Sequence, residues 1–377
     1  MRRMICQPAI LASCAILVTG LLGTAGSSAM AMRPASSDAG RWHVVAELPR
    51  GIFNTVIAPG RASAWGFGGA VYRHWNGHRW SASRPVTSRK NSYVVCAAAS
   101  SVSDVWAFTQ AGGGMGNPPS SASALRLRNG RWVGDKVWTA PAGTYITGCN
   151  VLSPDDVWAF GGAIAGLGPA IGTWHRTRSG WTQLNTGHLV LFDASVVSPR
   201  DLWAAGVEFS AGGAFQPALG RWNGTRWTQD RSILTALPKN TRHSEVVTNA
   251  VNAISDRDVW VQAFIIGEAG VTGVAVVHWD GTRWSRVKPG SMGYYLPTAV
   301  PDGHGGWWSA PYNTRNSPVT RYLLHEQGAR WTRSPLPGPL YTYPLSLAHV
   351  PHSQAALAAG SYQQTPGTVL AYGTLPH

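Results

Sequence analysis

The sequence predicts an all-β chain, a seven-bladed β-propeller of four-stranded blades, and three observations carry that prediction. The first is a repeat. Its fullest copy reads Ser153-Pro154-Asp155-Asp156-Val157-Trp158-Ala159-Phe160-Gly161-Gly162, and related copies place the tryptophan at Trp65, Trp106, Trp203, Trp260 and Trp308. Successive tryptophans lie 41, 52, 45, 57 and 48 residues apart, and a decayed copy, Ala355-Ala356-Leu357-Ala358, follows 49 residues later. A period in the forties with short strands in each unit is what a propeller blade requires. The second is an alternating motif, His278-Trp279-Asp280-Gly281-Thr282-Arg283-Trp284, whose last tryptophan recurs at Trp80, Trp132, Trp181, Trp227 and Trp331. The third is a set of turns in register with both: Asn76-Gly77, Asn129-Gly130, Ser179-Gly180, Asn223-Gly224, Asp280-Gly281 and Gln327-Gly328. Hairpin turns need positive φ, which glycine and asparagine tolerate best.

Within a unit the four strands follow in order. The first is apolar and unpunctuated, as in Val246-Val247-Thr248-Asn249-Ala250-Val251, and the second carries the Asp-Val-Trp motif. The third alternates, as in Val274-Ala275-Val276-Val277-His278-Trp279, and the fourth starts at the Arg-Trp pair. Runs of this length, rich in Val, Trp, Phe and Thr and bounded by Gly, Asn and Pro, read as strands, and no later stretch keeps a helical period. After the decayed seventh copy, Thr368-Val369-Leu370-Ala371-Tyr372 supplies one more third strand, with no fourth behind it. The missing strand is at the other end, Gly40-Arg41-Trp42-His43-Val44-Val45. The last blade is therefore expected to be closed by the N-terminal strand, which leaves no blade edge unpaired.

The first residues carry Arg2 and Arg3, an apolar run densest from Ala9 to Leu22, and Ala29-Met30-Ala31 as a small-residue cleavage site. We read 1–31 as a secretory signal peptide, 32–39 as a short linker and 40–377 as a single propeller domain. A lipoprotein box at Leu11-Ala12-Ser13-Cys14 is the less favoured reading, because the chain stays apolar past the cysteine. No later segment is long and apolar enough to span a bilayer. Cys96 and Cys149 remain after the leader, ten and nine residues before their blade tryptophans. They occupy near-equivalent places on adjacent first strands, so a disulfide is a candidate; two buried thiols that never meet is the alternative.

The formal charge is +14, from 31 Lys and Arg against 17 Asp and Glu, and the leader contributes two of those charges through Arg2 and Arg3. An anionic partner is the direct inference. Part of the charge belongs to the scaffold, however. Arg41, Arg79, Arg131, Arg226, Arg283 and Arg330 each precede a fourth-strand tryptophan. His74, Arg126, His175, Arg221, His278 and His325 form a second column six residues before it. These columns are expected to pair with Asp104, Asp156, Asp201 and Asp258, since residues that repeat with the fold serve the fold.

Copies of Asp-Val-Trp-Ala and Trp-Asp-Gly-x-x-Trp give the chain a resemblance to secreted bacterial seven-bladed propellers, a group similar to Kelch-like and Asp-box propellers. The resemblance covers residues 40–377 and implies an architecture and no one activity, because such propellers host lectins, hydrolases, lyases and interaction modules. The spacing of Asp280-Gly281-Thr282-Arg283-Trp284 departs from the Asp-box, which removes support for a sialidase-like reading.

Function is expected on the face that carries the fourth-to-first and second-to-third loops, which are long and irregular here. Candidate ligand-binding residues on it are Arg89, Lys90, Trp138, Arg231, Lys239, Arg242, Tyr294, Tyr295, Tyr312 and Tyr341, since exposed aromatics beside cations suit sugar stacking and anion pairing. The sequence points to a secreted, monomeric, non-catalytic binder of a glycan or anionic cell-envelope polymer, with a protein partner as the next choice and nucleic acid disfavoured. A glycan-active hydrolase or lyase at the channel mouth is the runner-up. No motif pairs the loop-face acids Asp135, Asp230, Glu245, Glu268 and Glu208, and His243-Ser244-Glu245 is the one compact His/Glu group. No phosphate loop, zinc motif, nucleophile elbow or calcium loop occurs, so neither cofactor nor metal is expected.

Overall fold

The computed structural model describes residues 40–47, 53–112, 121–139, 146–161, 171–209, 215–268, 270–287, 299–310, 319–327, 330–341, 346–361, 367–373 and 375. The expected leader and linker, and Tyr294, Tyr295 and Tyr312, lie outside them. The strands form seven antiparallel four-stranded sheets. Strand β1 (Trp42–Glu47) opens the described chain but belongs to the last sheet. Blade 1 is β2 (Thr55–Gly60), β3 (Ser63–Gly68), β4 (Val71–Trp75) and β5 (Arg84–Pro85). Blade 2 is β6 (Ser92–Ser101), β7 (Asp104–Ala111), β8 (Ser121–Arg128) and β9 (Arg131–Thr139). Blade 3 is β10 (Gly148–Ser153), β11 (Asp156–Gly161), β12 (Gly172–Thr177) and β13 (Gly180–Leu184). Blade 4 is β14 (Leu189–Ser198), β15 (Asp201–Phe209), β16 (Phe215–Trp222) and β17 (Trp227–Gln229). Blade 5 is β18 (Ser244–Ser255), β19 (Asp258–Gly267), β20 (Gly270–Trp279) and β21 (Trp284–Val287). Blade 6 is β22 (Ala299–Pro301), β23 (Trp307–Ser309), β24 (Val319–Gln327) and β25 (Arg330–Tyr341). Blade 7 is β26 (Ser346–His349), β27 (Ala356–Ser361), β28 (Gly367–Tyr372) and then β1.

The ring therefore closes as the ends of the sequence predict, with Trp42 opposite Tyr372 and Val44 opposite Leu370. Packing explains why this strand completes the blade. In blades 1 to 4 the second-strand tryptophan meets the fourth-strand tryptophan of the next blade edge to face: Trp65 with Trp132, Trp106 with Trp181, Trp158 with Trp227 and Trp203 with Trp284, at centroid distances of 5.7–6.2 Å. Trp308 makes the same contact with Trp42 at 5.3 Å and 83°. Such perpendicular pairs gain quadrupole attraction beyond the apolar area that they bury.

Near the axis, side chains of one first strand bond the backbone of the next. Asn54 Nδ2 donates to Val94 O, Thr147 Oγ1 to Phe192 O and Asn150 Nδ2 to Ala194 O. Ser195 Oγ accepts from Ala253 N, and Ser346 Oγ accepts from Val56 N across the blade 7 to blade 1 seam. Cys96 and Cys149 are joined in a disulfide between the first strands of blades 2 and 3, with Cα atoms 6.1 Å apart. Bulges recur at one level of these strands, between Val94 and Cys96, Leu191 and Asp193, and Thr248 and Ala250, where they add twist.

One local expectation needs correction. In blade 1 the fourth strand does not begin at Arg79-Trp80: Trp80 makes a single bridge to Trp75, and β5 is two residues long. There Ser81 Oγ accepts the His74 N–H, so a side chain replaces a ladder bond, and Pro85 has no N–H to give. The turns carry glycine at positive φ as expected, at Gly77, Gly130, Gly180, Gly224 and Gly281. Asn76, Asn223 and Asp280 each accept two backbone N–H groups through Oδ1, which closes a longer Asx turn with Gly77, Gly224 and Gly281 at positive φ.

Candidate functional site

A carboxylate, a basic group and an indole recur together around the ring. His175 stacks on Trp158 at 3.9 Å and its Nε2 lies 2.9 Å from Asp156 Oδ1, while Trp158 Nε1 donates to the same oxygen. His278 does the same with Trp260 and Asp258. In blades 2 and 4 an arginine takes the histidine's place. Arg126 bonds Asp104 at 2.8 Å over Trp106, and Arg221 bonds Asp201 at 2.8 Å over Trp203. The Asp201 hydrogen bond raises Arg221 above its ordinary pKa. In blade 6, Gly306 stands where the aspartate would be, and a Cβ there would lie 2.1 Å from Glu326 O. Asp302 reaches in from the preceding turn instead and bonds His325, which stacks on Trp308 at 4.0 Å. Burial opposes its charge, but hydrogen bonds from His304 N, His325, Gly306 N and Gln327 outweigh that and hold its pKa low. These groups consume the second basic column within the scaffold.

The loop-face candidates divide. Arg89, Lys90, Lys239 and Arg242 are exposed and have no ion-pair partner among the described residues. Arg231 is not free: it bonds Glu208 at 2.6 Å, and Gln229 bonds the same carboxylate. Burial pushes Glu208 up, but those two hydrogen bonds and the Arg231 charge hold it below its usual value. Trp138 is not an exposed shelf either. It is 6% exposed and wedged between Trp174 and Trp181 of blade 3, because it lies on β9 and not on a loop. Asp135 and Asp230 are inter-blade locks that accept from Trp181 Nε1 and Trp284 Nε1. His243 pairs with Glu268 at 3.4 Å and not with Glu245, on an open surface. Tyr341 ends β25, and its side chain lies outside the described residues.

Sequence reasoning passed over the one acid in the channel wall. A cavity of about 480 Å³ is lined by first strands of blades 3 to 6, and it extends between blades 5 and 6. Asn150, Asp193, Ser195 and Asn252 face it from successive first strands, with Gln262, Trp260 and Trp307 beside them. Asp193 is half-buried at the cavity wall. Burial pushes its carboxyl up from 3.8 to about 7, opposed by a hydrogen bond from the Ala194 backbone. Its space comes from the neighbouring blade, since a Cβ on Gly148 would sit 2.9 Å from Asp193 Oδ1. The Nδ2 of Asn252 is buried without a partner. Every acidic residue except Asp38 is described, and none but Asp193 lines the cavity. The signal that could have revealed it is a charge inside the otherwise apolar run Leu189-Val190-Leu191-Phe192-Asp193-Ala194.

No protein-family model matches this chain, and no curated protein is similar to it. Solved structures are. The extracellular domain assigned to a hybrid two-component system of B. thetaiotaomicron matches over 88% of this chain at 10% identity and TM-score 0.56. A GH74 xyloglucanase from Xanthomonas campestris matches over 88% at 13% identity and TM-score 0.55. The chain spans only 39% and 55% of those two proteins. The Cps50 (Swd1) β-propeller domain of Myceliophteria thermophila is covered completely, at 9% identity and TM-score 0.53. At these identities the likeness establishes the propeller fold. Among the described residues no helix is long and apolar enough to cross a membrane.

Proposed function

We propose that this is a secreted, non-catalytic binding protein, in the manner of Kelch-like propellers, that takes a glycan or anionic envelope polymer along the channel and the long-loop face around it. The carrying observation is the Asp193 cavity, where one carboxyl that titrates near neutrality sits among Asn150, Ser195 and the unpartnered Asn252 amide. Sugar hydroxyls donate and accept, so a wall of carboxyl, amide and hydroxyl groups suits them. A glycosidase needs two carboxylates across the scissile bond, and a single lining acid supports binding over hydrolysis. The disulfide supports an oxidising compartment. That one propeller of this fold is named an extracellular domain and another a xyloglucanase is compatible with both parts of the reading.

Arg89, Lys90, Lys239 and Arg242 are the proposed rim contacts, and Tyr294, Tyr295, Tyr312 and Tyr341 join them on sequence position. The test is binding to arrays of neutral and anionic glycans at about 0.15 M salt. Selective binding that Asp193→Asn abolishes, and that the double variants Arg89→Gln/Lys90→Gln and Lys239→Gln/Arg242→Gln weaken more at low salt than at high, is expected. Binding indifferent to all three variants would refute the proposal.

A further inference from the structure

We propose that the groove between blades 1 and 2, on the tight-turn side of the ring, is a separate site for a small oxyanion-bearing ligand, the carboxylate end of an acidic saccharide. The groove encloses about 610 Å³, within the range of small-molecule sites. It exists because blade 1 loses most of its fourth strand, where Ser81 still bonds His74 but residues 82–83 belong to no strand.

Blade 1 also breaks the repeated carboxylate pattern. Blades 2 to 6 each set an aspartate against the basic group on their tryptophan, whereas blade 1 has Ser63 there, 3.0 Å from His74 Nε2. Trp65 Nε1 is left without an acceptor, as are Trp203 Nε1 and Trp308 Nε1, whereas Trp106, Trp158 and Trp260 each have an aspartate oxygen. Blade 6 recovers its missing aspartate through Asp302, but no acidic residue lines the blade 1 groove. Arg79 and Arg84 do line it, both exposed and both without an ion-pair partner among the described residues. Burial and then the Arg84 charge lower the pKa of His74, so the two arginines carry the positive charge of the groove.

The groups of fixed role left free are donors, two guanidinium forks and the Asn76 amide nitrogen, with Asn76 Oδ1 and Ser81 Oγ already engaged by backbone N–H groups; the Tyr72 hydroxyl and the His74 ring, which also line the groove, can donate or accept. A neutral polyol would need acceptors to receive its hydroxyl protons. An oxyanion needs donors alone, and arginine presents them in a fork that matches a carboxylate. The walls beside the arginines are apolar, from Trp80, Val102 and Leu127, and suit the C–H face of a sugar ring. The site does not rest on the channel reading.

The experiment titrates the purified protein with D-glucuronic acid, D-glucose, sodium sulfate and sodium phosphate, by calorimetry and ligand-observed NMR. Glucuronate is expected to bind at least about tenfold more tightly than glucose, and Arg79→Gln or Arg84→Gln to weaken it about tenfold each. Ser63→Asp reinstates the internal carboxylate that blades 3 and 5 accommodate, so it should weaken glucuronate binding without lowering the melting temperature. Glycan-array binding that depends on Asp193 should be unchanged by Arg79→Gln and by Arg84→Gln, which separates this site from the channel. Equal binding of glucose, no glucuronate binding at about 10 mM, or binding indifferent to Ser63→Asp overturns the proposal. Displacement by sulfate or phosphate at matched concentration overturns the saccharide as occupant.

Discussion

Replacing Asp193 with asparagine should make the protein more stable in alkaline solution and leave it nearly unchanged in acid. Burial raises the carboxyl from 3.8 to about 7 in the folded chain, while the unfolded chain keeps the ordinary value. The folded state therefore holds this proton more tightly. Its contribution to stability is fully present below about pH 4 and is lost as pH rises through about 7. A shift of roughly three units at 1.36 kcal/mol each sets a ceiling of about 4 kcal/mol, and the half-buried position of Asp193 lowers it towards about 2. Asparagine matches the shape of the carboxyl and cannot ionise, so it removes the alkaline penalty without opening space beside Gly148. The assay is urea denaturation of parent and variant at about pH 5 and about pH 8. Every other titrating group is common to both proteins, so the difference between their pH profiles isolates Asp193. Profiles that run parallel across that interval would refute the burial argument, and with it the assignment of Asp193 as the channel's titrating group.

Three further expectations concern the ring. Asp104→Ala strands Arg126, Trp106 Nε1 and Ser100 Oγ around a site only 3% exposed, and should cost about 3–5 kcal/mol. The equivalent Asp258→Ala removes an aspartate 41% exposed and should cost about 1 kcal/mol, so equal midpoints in guanidinium would contradict the burial difference. Cys96→Ser/Cys149→Ser opens a loop of 53 residues, for which chain entropy gives about 4 kcal/mol, read as a shift between oxidised parent and variant; a shift below about 1 kcal/mol would mean that the ring already restrains those strands. Trp42→Ala should cost about 3–5 kcal/mol and expose blade 7 to hydrogen exchange before the other blades, because Trp42 is the contact between β1 and Trp308; uniform exchange would argue against β1 as the closing element.

The repeat made the architecture legible because each blade meets the same packing problem and meets it with the same residues. Trp158 stacking on His175, or Trp203 against Trp284, follows from positions that recur at a fixed spacing, and so does the closing strand at Trp42. The candidate site was much less legible. Trp138 reads as a loop aromatic until the length of β9 is known, and Arg231 reads as free until Glu208 on β15 is seen to reach it. Both errors have one source, since strand ends vary from blade to blade while strand centres do not. Asp193 escaped because its meaning depends on register across blades, which no single strand displays.

That register gives a physical way to separate scaffold from site. At the level of Asp193, the equivalent residues opposite the second strands are Thr55, Cys96, Gly148, Ala250 and Ser346, all small or neutral. A carboxyl there serves no step of the repeat, and burial makes it costly, so the fold alone does not account for it. The second-strand aspartates behave oppositely. When Gly306 removes one, Asp302 is supplied from a different backbone position to meet His325 and Trp308. A group that is replaced when lost answers a structural demand. Ser63 in blade 1 is not replaced, and its blade is the one where Arg79 and Arg84 stand without an acid in the groove they line. The two departures, a carboxyl added at the cavity wall and a serine in place of a carboxyl beside the blade 1 groove, therefore have no account in the repeat, which is the physical ground for testing Asp193 and the Arg79/Arg84 pair before any residue that recurs with the blades.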